Sequence, residues 1–127
     1  MTTLQPSTPM LVVEDERLIR ELLTEILEDE GYPVASASNG QEALTYLQRS
    51  RELPQLILLD LNMPIMSGWQ FREQQQRDSS LRRIPVVVVS ASTTSTQLSS
   101  SVHPDGYLAK PIEVDTLIQT VERYCAT

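Results

Sequence analysis

Five polar residues terminate otherwise apolar runs in this chain: Glu14 and Asp15 follow Met10–Val13, Asp60 follows Leu56–Leu59, Ser90 follows Ile84–Val89, and Lys110 follows Tyr107–Ala109. Three acids brought together would repel, and each would tend to hold a proton. A hard divalent cation resolves that conflict. Mg²⁺ takes one or two carboxylates, keeps some waters and leaves a position for a phosphate oxygen. Lys110 offers a point positive charge for phosphate, and Ser90 offers a hydroxyl donor. A carboxylate such as Asp60 can itself be a nucleophile and form an acyl phosphate. Phosphoryl transfer needs mainly positioning and charge neutralisation, which this set of side chains could supply.

Taken singly, each residue has a plainer reading. Glu14, Asp15 and Glu16 suit a helix N-terminus. Asp60 could be a turn acid, Ser90 a helix cap, Lys110 an exposed lysine before Pro111, and Tyr107 a core aromatic. The chemical reading depends on whether the fold brings these residues to one place.

The elements that would do so are legible. Met10–Val13, Pro33–Ala37, Leu56–Leu59, Ile84–Val89 and Tyr107–Ala109 read as five short strands. Leu18, Ile19, Leu22, Leu23, Ile26 and Leu27 recur at helical spacing, and Gly31 stops that helix. Ser38 and Gln41 have capping-box spacing before a second helix carrying Ala43, Leu44 and Leu47. A third helix is expected over Trp69–Arg77, with Trp69 and Phe71 packing and the Gln74–Gln76 run solvated. Val114, Leu117, Ile118 and Val121 mark a last helix, while Ala91–Asp105 is rich in Ser and Thr, which suggests a short or frayed helix. Strands alternating with helices imply an α/β fold with a parallel sheet covered on both faces. The expected form is a flavodoxin-like, doubly wound five-stranded sheet of order 2-1-3-4-5 with five helices, whose ligand site lies beyond the carboxyl ends of the strands.

Composition narrows the function. At 127 residues the chain is expected to be one domain, 1–127, with 1–8 as a flexible N-terminal segment. The formal charge of -7 opposes direct binding to nucleic acid or an anionic membrane. Cys125 is the only cysteine, so no disulfide within the chain and no cysteine-based metal site can form, in keeping with a cytoplasmic location. There is no signal peptide pattern and no apolar run long enough to span a bilayer. His103, before Pro104, reads as a solvated loop residue, and Cys125 as a passive thiol.

The segments Leu11-Val12-Val13-Glu14-Asp15-Glu16, Leu58 to Gly68, Val89-Ser90-Ala91 and Gly106 to Pro111 resemble, in order and spacing, the signatures of two-component response-regulator receiver domains, chemotaxis-type single-domain receivers included. The resemblance runs from about Met10 to Tyr124. It implies that Asp60 accepts a phosphoryl group from a partner's phosphohistidine. Glu14, Asp15, Asp60 and the backbone carbonyl of Asn62 would hold Mg²⁺, with Mn²⁺ as a substitute. Ser90 and Lys110 would contact the phosphoryl group, Ser90 and Tyr107 would form the switch, and the Lys110–Pro111 bond would be cis. Asn62 and Ser92 match positions that tune hydrolysis. The implied partners are a sensor histidine kinase or phosphotransfer protein and a downstream protein target, the chain being a monomer that catalyses only its own phosphorylation and dephosphorylation. Two departures stand out: the Ser/Thr-rich fourth-helix region looks shorter than usual, and Arg72 and Gln75 replace residues that are usually apolar.

Competing readings make distinct demands. A constitutive pseudo-receiver binding module would have lost an acidic, Lys or Ser/Thr site position, and none is lost. A haloacid-dehalogenase-type phosphatase needs a second Asp two residues past the nucleophile, where Asn62 stands. A flavin carrier would want a Ser/Thr/Gly phosphate loop where Glu14 and Asp15 stand. Met1 and the short tail suit a free-standing regulator better than a receiver excised from a larger protein.

Overall fold

The computed structural model describes residues 9–91 and 103–125. The expected N-terminal segment 1–8, Ser92 and most of the expected fourth helix lie outside the described residues. In chain order the elements are β1 (Met10–Val13), α1 (Arg17–Asp29), β2 (Val34–Ala37), α2 (Gly40–Arg49), β3 (Ile57–Asp60), α3 (Gly68–Arg77), β4 (Val86–Ser90), β5 (Gly106–Ala109) and α4 (Val114–Cys125). The five strands form one sheet of order β2-β1-β3-β4-β5, every pairing parallel. The expected α/β, flavodoxin-like order is therefore present, with four of the five expected helices among the described residues.

The central strands β1, β3 and β4 are buried along their whole length and apolar up to the terminal Asp60 and Ser90, because both faces of the sheet are covered there, whereas the edge strands β2 and β5 are partly exposed. Alternate residues divide between two cores. Leu11, Val13, Ile57, Leu59, Val86 and Val88 pack with Ala43, Leu44 and Leu47 of α2 and Phe71 of α3. Met10, Val12, Leu58, Val87, Val89 and Leu108 pack with Leu23 and Leu27 of α1 and Leu117, Val121 and Cys125 of α4. Glu14, Asp60 and Lys110 continue the second alternation past the last apolar residue of their strands.

Several local expectations shift. The α1 stripe is narrower than its sequence spacing: Leu23 and Leu27 are buried, whereas Leu18 and Leu22 are 80% and 56% exposed. The sheet covers one strip of the helix, and Leu18 and Leu22 lie one residue off it. At the end of α1, Gly31 (φ +94°) takes the left-handed conformation, with Gly31 N–H donating to Glu28 O and Tyr32 N–H to Leu27 O. That pair of bonds is a Schellman stop. The cap of α2 sits one residue later than Ser38: Asn39 Oδ1 accepts from Glu42 N at 2.9 Å, and the Glu42 carboxylate accepts from Ser38 N and Oγ, both at 2.8 Å. Helix α3 opens on a capping box between Ser67 and Gln70.

Gln75 is the clearest correction, since it is fully buried rather than solvated. Its amide donates to Leu81 O (2.9 Å) and Ile84 O (3.1 Å) and accepts from Arg72 Nη1 (2.8 Å). Arg72 is also buried and reaches across to His103 O at 2.8 Å and toward Asp105, 3.9 Å away. Asp105 in turn accepts from Val86 N at 2.8 Å, and Tyr124 Oη donates to Asp105 O at 2.6 Å. This polar network ties α3, α4 and the starts of β4 and β5 together at the sheet edge opposite Asp60. His103 is exposed as expected, and Phe71 is fully buried with Trp69 packed beside the same core.

Candidate functional site

Parallel register sets the site. Val13 lies beside Leu59, Asp60 beside Val89, and Ser90 beside Ala109, so Glu14, Asp60, Ser90 and Lys110 all emerge at the carboxyl edge of the sheet. Ligand oxygens of Glu14, Asp15 and Asp60 all lie within 4.8 Å of one another. Glu14 and Asp60 are buried and Asp15 is half-buried. The Lys110 ammonium sits 2.9 Å from Glu14 Oε1 and 3.7 Å from Asp60 Oδ1. The Lys110–Pro111 bond is cis, as expected.

The electrostatics follow from that crowding. Burial first, and then the Glu14 carboxylate, push Asp60 up to about 7, against the opposing pull of the Lys110 ammonium and the Asn62 N–H. Burial alone would lower Lys110, but its hydrogen bond to Glu14 and the charges of Asp60 and Glu14 outweigh that and raise it. Glu14 Oε2 accepts from Glu16 N at 3.1 Å, while the buried Oε1 is paired with the Lys110 ammonium at 2.9 Å. A buried carboxylate balanced by one ammonium and crowded by two further acids is a donor set suited to a hard cation. Glu14, Asp15 and Asp60 thus fit the divalent metal that the sequence implies.

The remaining site residues are placed less tightly. Ser90 is fully buried at the end of β4, and Tyr107 Oη donates to Ser90 O at 3.2 Å with the ring 40% exposed. The Asn62 side chain is exposed, and its backbone N–H supports the Asp60 carboxylate.

Two groups were not visible as site residues in the sequence. Gly68 N–H donates to Leu61 O at 2.9 Å, and a Cβ at Gly68 would run into Asp60 O and come within 2.8 Å of Leu61 Cα. The turn after Asp60 therefore folds back tightly enough to require glycine, for which Ser67-Gly68 is the sequence signal. Arg20, in the first turns of α1, donates to Glu14 O at 2.8 Å and to Asp15 O at 3.3 Å. Its spacing from the acids gives no motif by which to find it.

Comparison with known proteins agrees with this geometry. The family model for the response regulator receiver domain matches residues 10–122. The polar-differentiation response regulator DivK of Brucella anthropi is 33% identical over 118 residues, covering 91% of this chain and 94% of that protein. The crystal structure of the chemotaxis protein CheY4 of Vibrio cholerae superposes with a TM-score of 0.83 at 30% identity, covering 94% of this chain and 99% of that one. The receiver domain of the sensor histidine kinase PA1611 of Pseudomonas aeruginosa, which has a magnesium ion coordinated in its active-site cleft, superposes with a TM-score of 0.84 over 96% of this chain and 100% of that one. At 22% identity that last likeness speaks to the fold.

Proposed function

We propose, for a chain that belongs to the response regulator receiver domain family, that it takes a phosphoryl group from a phosphohistidine onto Asp60 and changes partner binding as a result. The observation that carries this reading is the cluster itself: Glu14, Asp15 and Asp60 with ligand oxygens within 4.8 Å, and Lys110 between two of them.

The chemistry assigns each residue a task. An Asp60 carboxylate oxygen forms the bond to phosphorus as the phosphorus–nitrogen bond to the donor imidazole breaks, the electron pair leaving with the imidazole. Glu14, Asp15, Asp60 and the Asn62 carbonyl would hold Mg²⁺, or Mn²⁺ in its place, which would supply charge neutralisation for the phosphoryl group. Lys110 balances a further phosphoryl oxygen, and the Ser90 hydroxyl donates to another. Transfer of Lys110 from Glu14 toward the phosphoryl group and movement of Ser90 would change the surroundings of Tyr107, whose hydroxyl is bonded to the Ser90 carbonyl. Such a change biases a two-state equilibrium through differential contacts.

The donor is a sensor histidine kinase or phosphotransfer protein, and the reader is a protein target. The chain acts as a cytoplasmic, monomeric switch rather than a conventional enzyme. Incubation with acetyl phosphate and Mg²⁺ tests the central claim. Mass spectrometry should show a gain of one phosphoryl group, lost in Asp60→Asn; no gain, or a gain that survives that substitution, refutes it.

A further inference from the structure

We infer that Arg20 is a positioning residue that holds the Glu14–Asp15 turn in its metal-binding geometry before any cation arrives. The inference rests on the metal reading of the site given above. Between the end of β1 at Val13 and the start of α1 at Arg17, three acidic residues turn the chain, and the first two, Glu14 and Asp15, belong to the site. These acids repel each other and Asp60, so a turn without support would relax outward and scatter its ligand oxygens.

Three contacts oppose that relaxation. Glu14 N–H donates to Ala37 O at 3.0 Å, which anchors the turn to β2. Glu16 N–H donates to Glu14 Oε2, which orients the carboxylate from one side. Arg20 Nη1 then donates to the Glu14 carbonyl at 2.8 Å and the Asp15 carbonyl at 3.3 Å, which fixes the peptides behind both acids. One guanidinium therefore bridges both ligand residues through their backbone carbonyls.

The anchor is itself rigid. Arg20 N–H donates to Glu16 O at 2.9 Å, and Thr24 Oγ1 donates to Arg20 O at 2.8 Å. Both bonds come from Nη1, whose two N–H groups are held in the guanidinium plane, whereas an ammonium on a flexible stem has no such fixed aim. The cost of ordering the turn is thereby met during folding instead of at metal binding, which is how preorganisation raises affinity. Outer contacts of this kind typically change metal affinity by about 10–100-fold when removed.

The test is a Mg²⁺ titration of the full chain by calorimetry, comparing the unaltered protein with Arg20→Ala and Arg20→Lys. Arg20→Ala should weaken Mg²⁺ binding about 10–100-fold, and Arg20→Lys should recover only part of the loss. Phosphorylation of Arg20→Ala by acetyl phosphate should return to the original extent at saturating Mg²⁺. In metal-free protein, amide exchange at Glu16, which reports the turn directly, should quicken in Arg20→Ala. Unchanged Mg²⁺ affinity and unchanged exchange, with only a lowered melting temperature, would reduce Arg20 to a general structural role and overturn the inference. If the unaltered chain bound no Mg²⁺, the reading of the site would fail, and Glu16 exchange would still decide whether Arg20 holds the turn. Should Arg20→Ala not fold, Arg20→Gln, which keeps a donor amide on a shorter stem, takes its place.

Discussion

Lys110 Nζ lies 2.9 Å from Glu14 Oε1 and 3.7 Å from Asp60 Oδ1, so without a cation the ammonium is committed first to Glu14. Glu14 is 1% exposed and depends on this partner. Breaking a buried pair leaves an uncompensated charge, which typically costs about 3–5 kcal/mol. Lys110→Met should therefore lower stability by about 3 kcal/mol in metal-free protein at neutral pH. Mg²⁺ should restore part of that loss, because it replaces the missing positive charge. Thermal unfolding with and without Mg²⁺ measures both effects.

The raised Asp60 carboxyl sets a pH dependence with a definite sign. Its pKa is about 7 in the folded protein against 3.8 for an ordinary Asp, so the folded state keeps a proton that the unfolded chain has released. The stability it contributes is complete below the ordinary value and declines as pH rises to about 7. Asp60→Asn should therefore stabilise the metal-free protein at pH 8, by about 1–3 kcal/mol, and have little effect near pH 4. Urea unfolding at the two pH values checks this.

Metal binding should show the mirror image. The metal needs the ionised carboxylate, so Mg²⁺ affinity should be flat above about pH 7 and fall up to about tenfold per unit below it. Proton release on Mg²⁺ addition, measured calorimetrically in buffers of different ionisation enthalpy, should grow as pH falls from 8 to 6. Equal affinity at those two pH values would contradict the shifted carboxyl.

Gln75 and Arg72 make a second buried polar unit. Gln75→Leu would strand the carbonyls of Leu81 and Ile84 and remove one acceptor of Arg72. The expected loss is about 2–4 kcal/mol. Arg72→Leu combined with Gln75→Leu should cost less than the sum of the single changes by about 1 kcal/mol, because the two share one hydrogen bond. A double-mutant cycle by denaturant unfolding measures that difference.

Ile65 carries strain with little compensation. It sits at φ +67° and is 81% exposed. A β-branched residue is disfavoured there by about 1–2 kcal/mol, whereas Asn tolerates the conformation. Ile65→Asn should raise stability by about 1 kcal/mol. A lower melting temperature would show that the exposed isoleucine is held by contacts worth more than its strain.

Much of the fold follows from patterns that a sequence displays directly. Continuous apolar strands such as Leu56–Leu59 carry their own evidence of two-sided burial, and the acids and lysine at their ends become a site once the strand order is parallel. What escaped were features decided by three-dimensional neighbours. Gln75 looks like part of a solvated run until the α3–β4 turn supplies carbonyls for its amide. Leu18 and Leu22 share the periodicity of Leu23 and Leu27, but they lie one residue off the strip of α1 that the sheet covers. Asn39 rather than Ser38 caps α2, a choice between adjacent residues that both favour the role. The Ser67–Gln70 capping box, by contrast, was present in the sequence as S-x-x-Q and marks the α3 start more sharply than Trp69. Arg20 escaped because its work is done on backbone carbonyls, which no side-chain motif records.

The alternation that sorts strand residues between two cores also governs which genetic changes this protein can absorb. Asp60 shares the parity of Leu56 and Leu58, Glu14 that of Met10 and Val12, and Lys110 that of Leu108. Loss or gain of one codon inside β1, β3 or β5 would invert the apolar side chains between layers and turn the terminal charge away from its partners in the same event. No single compensating substitution repairs both. Length variation among descendants of this sequence is thereby confined to connections such as the exposed residues 51 and 52, between α2 and β3, where an added residue shifts nothing that must be in phase.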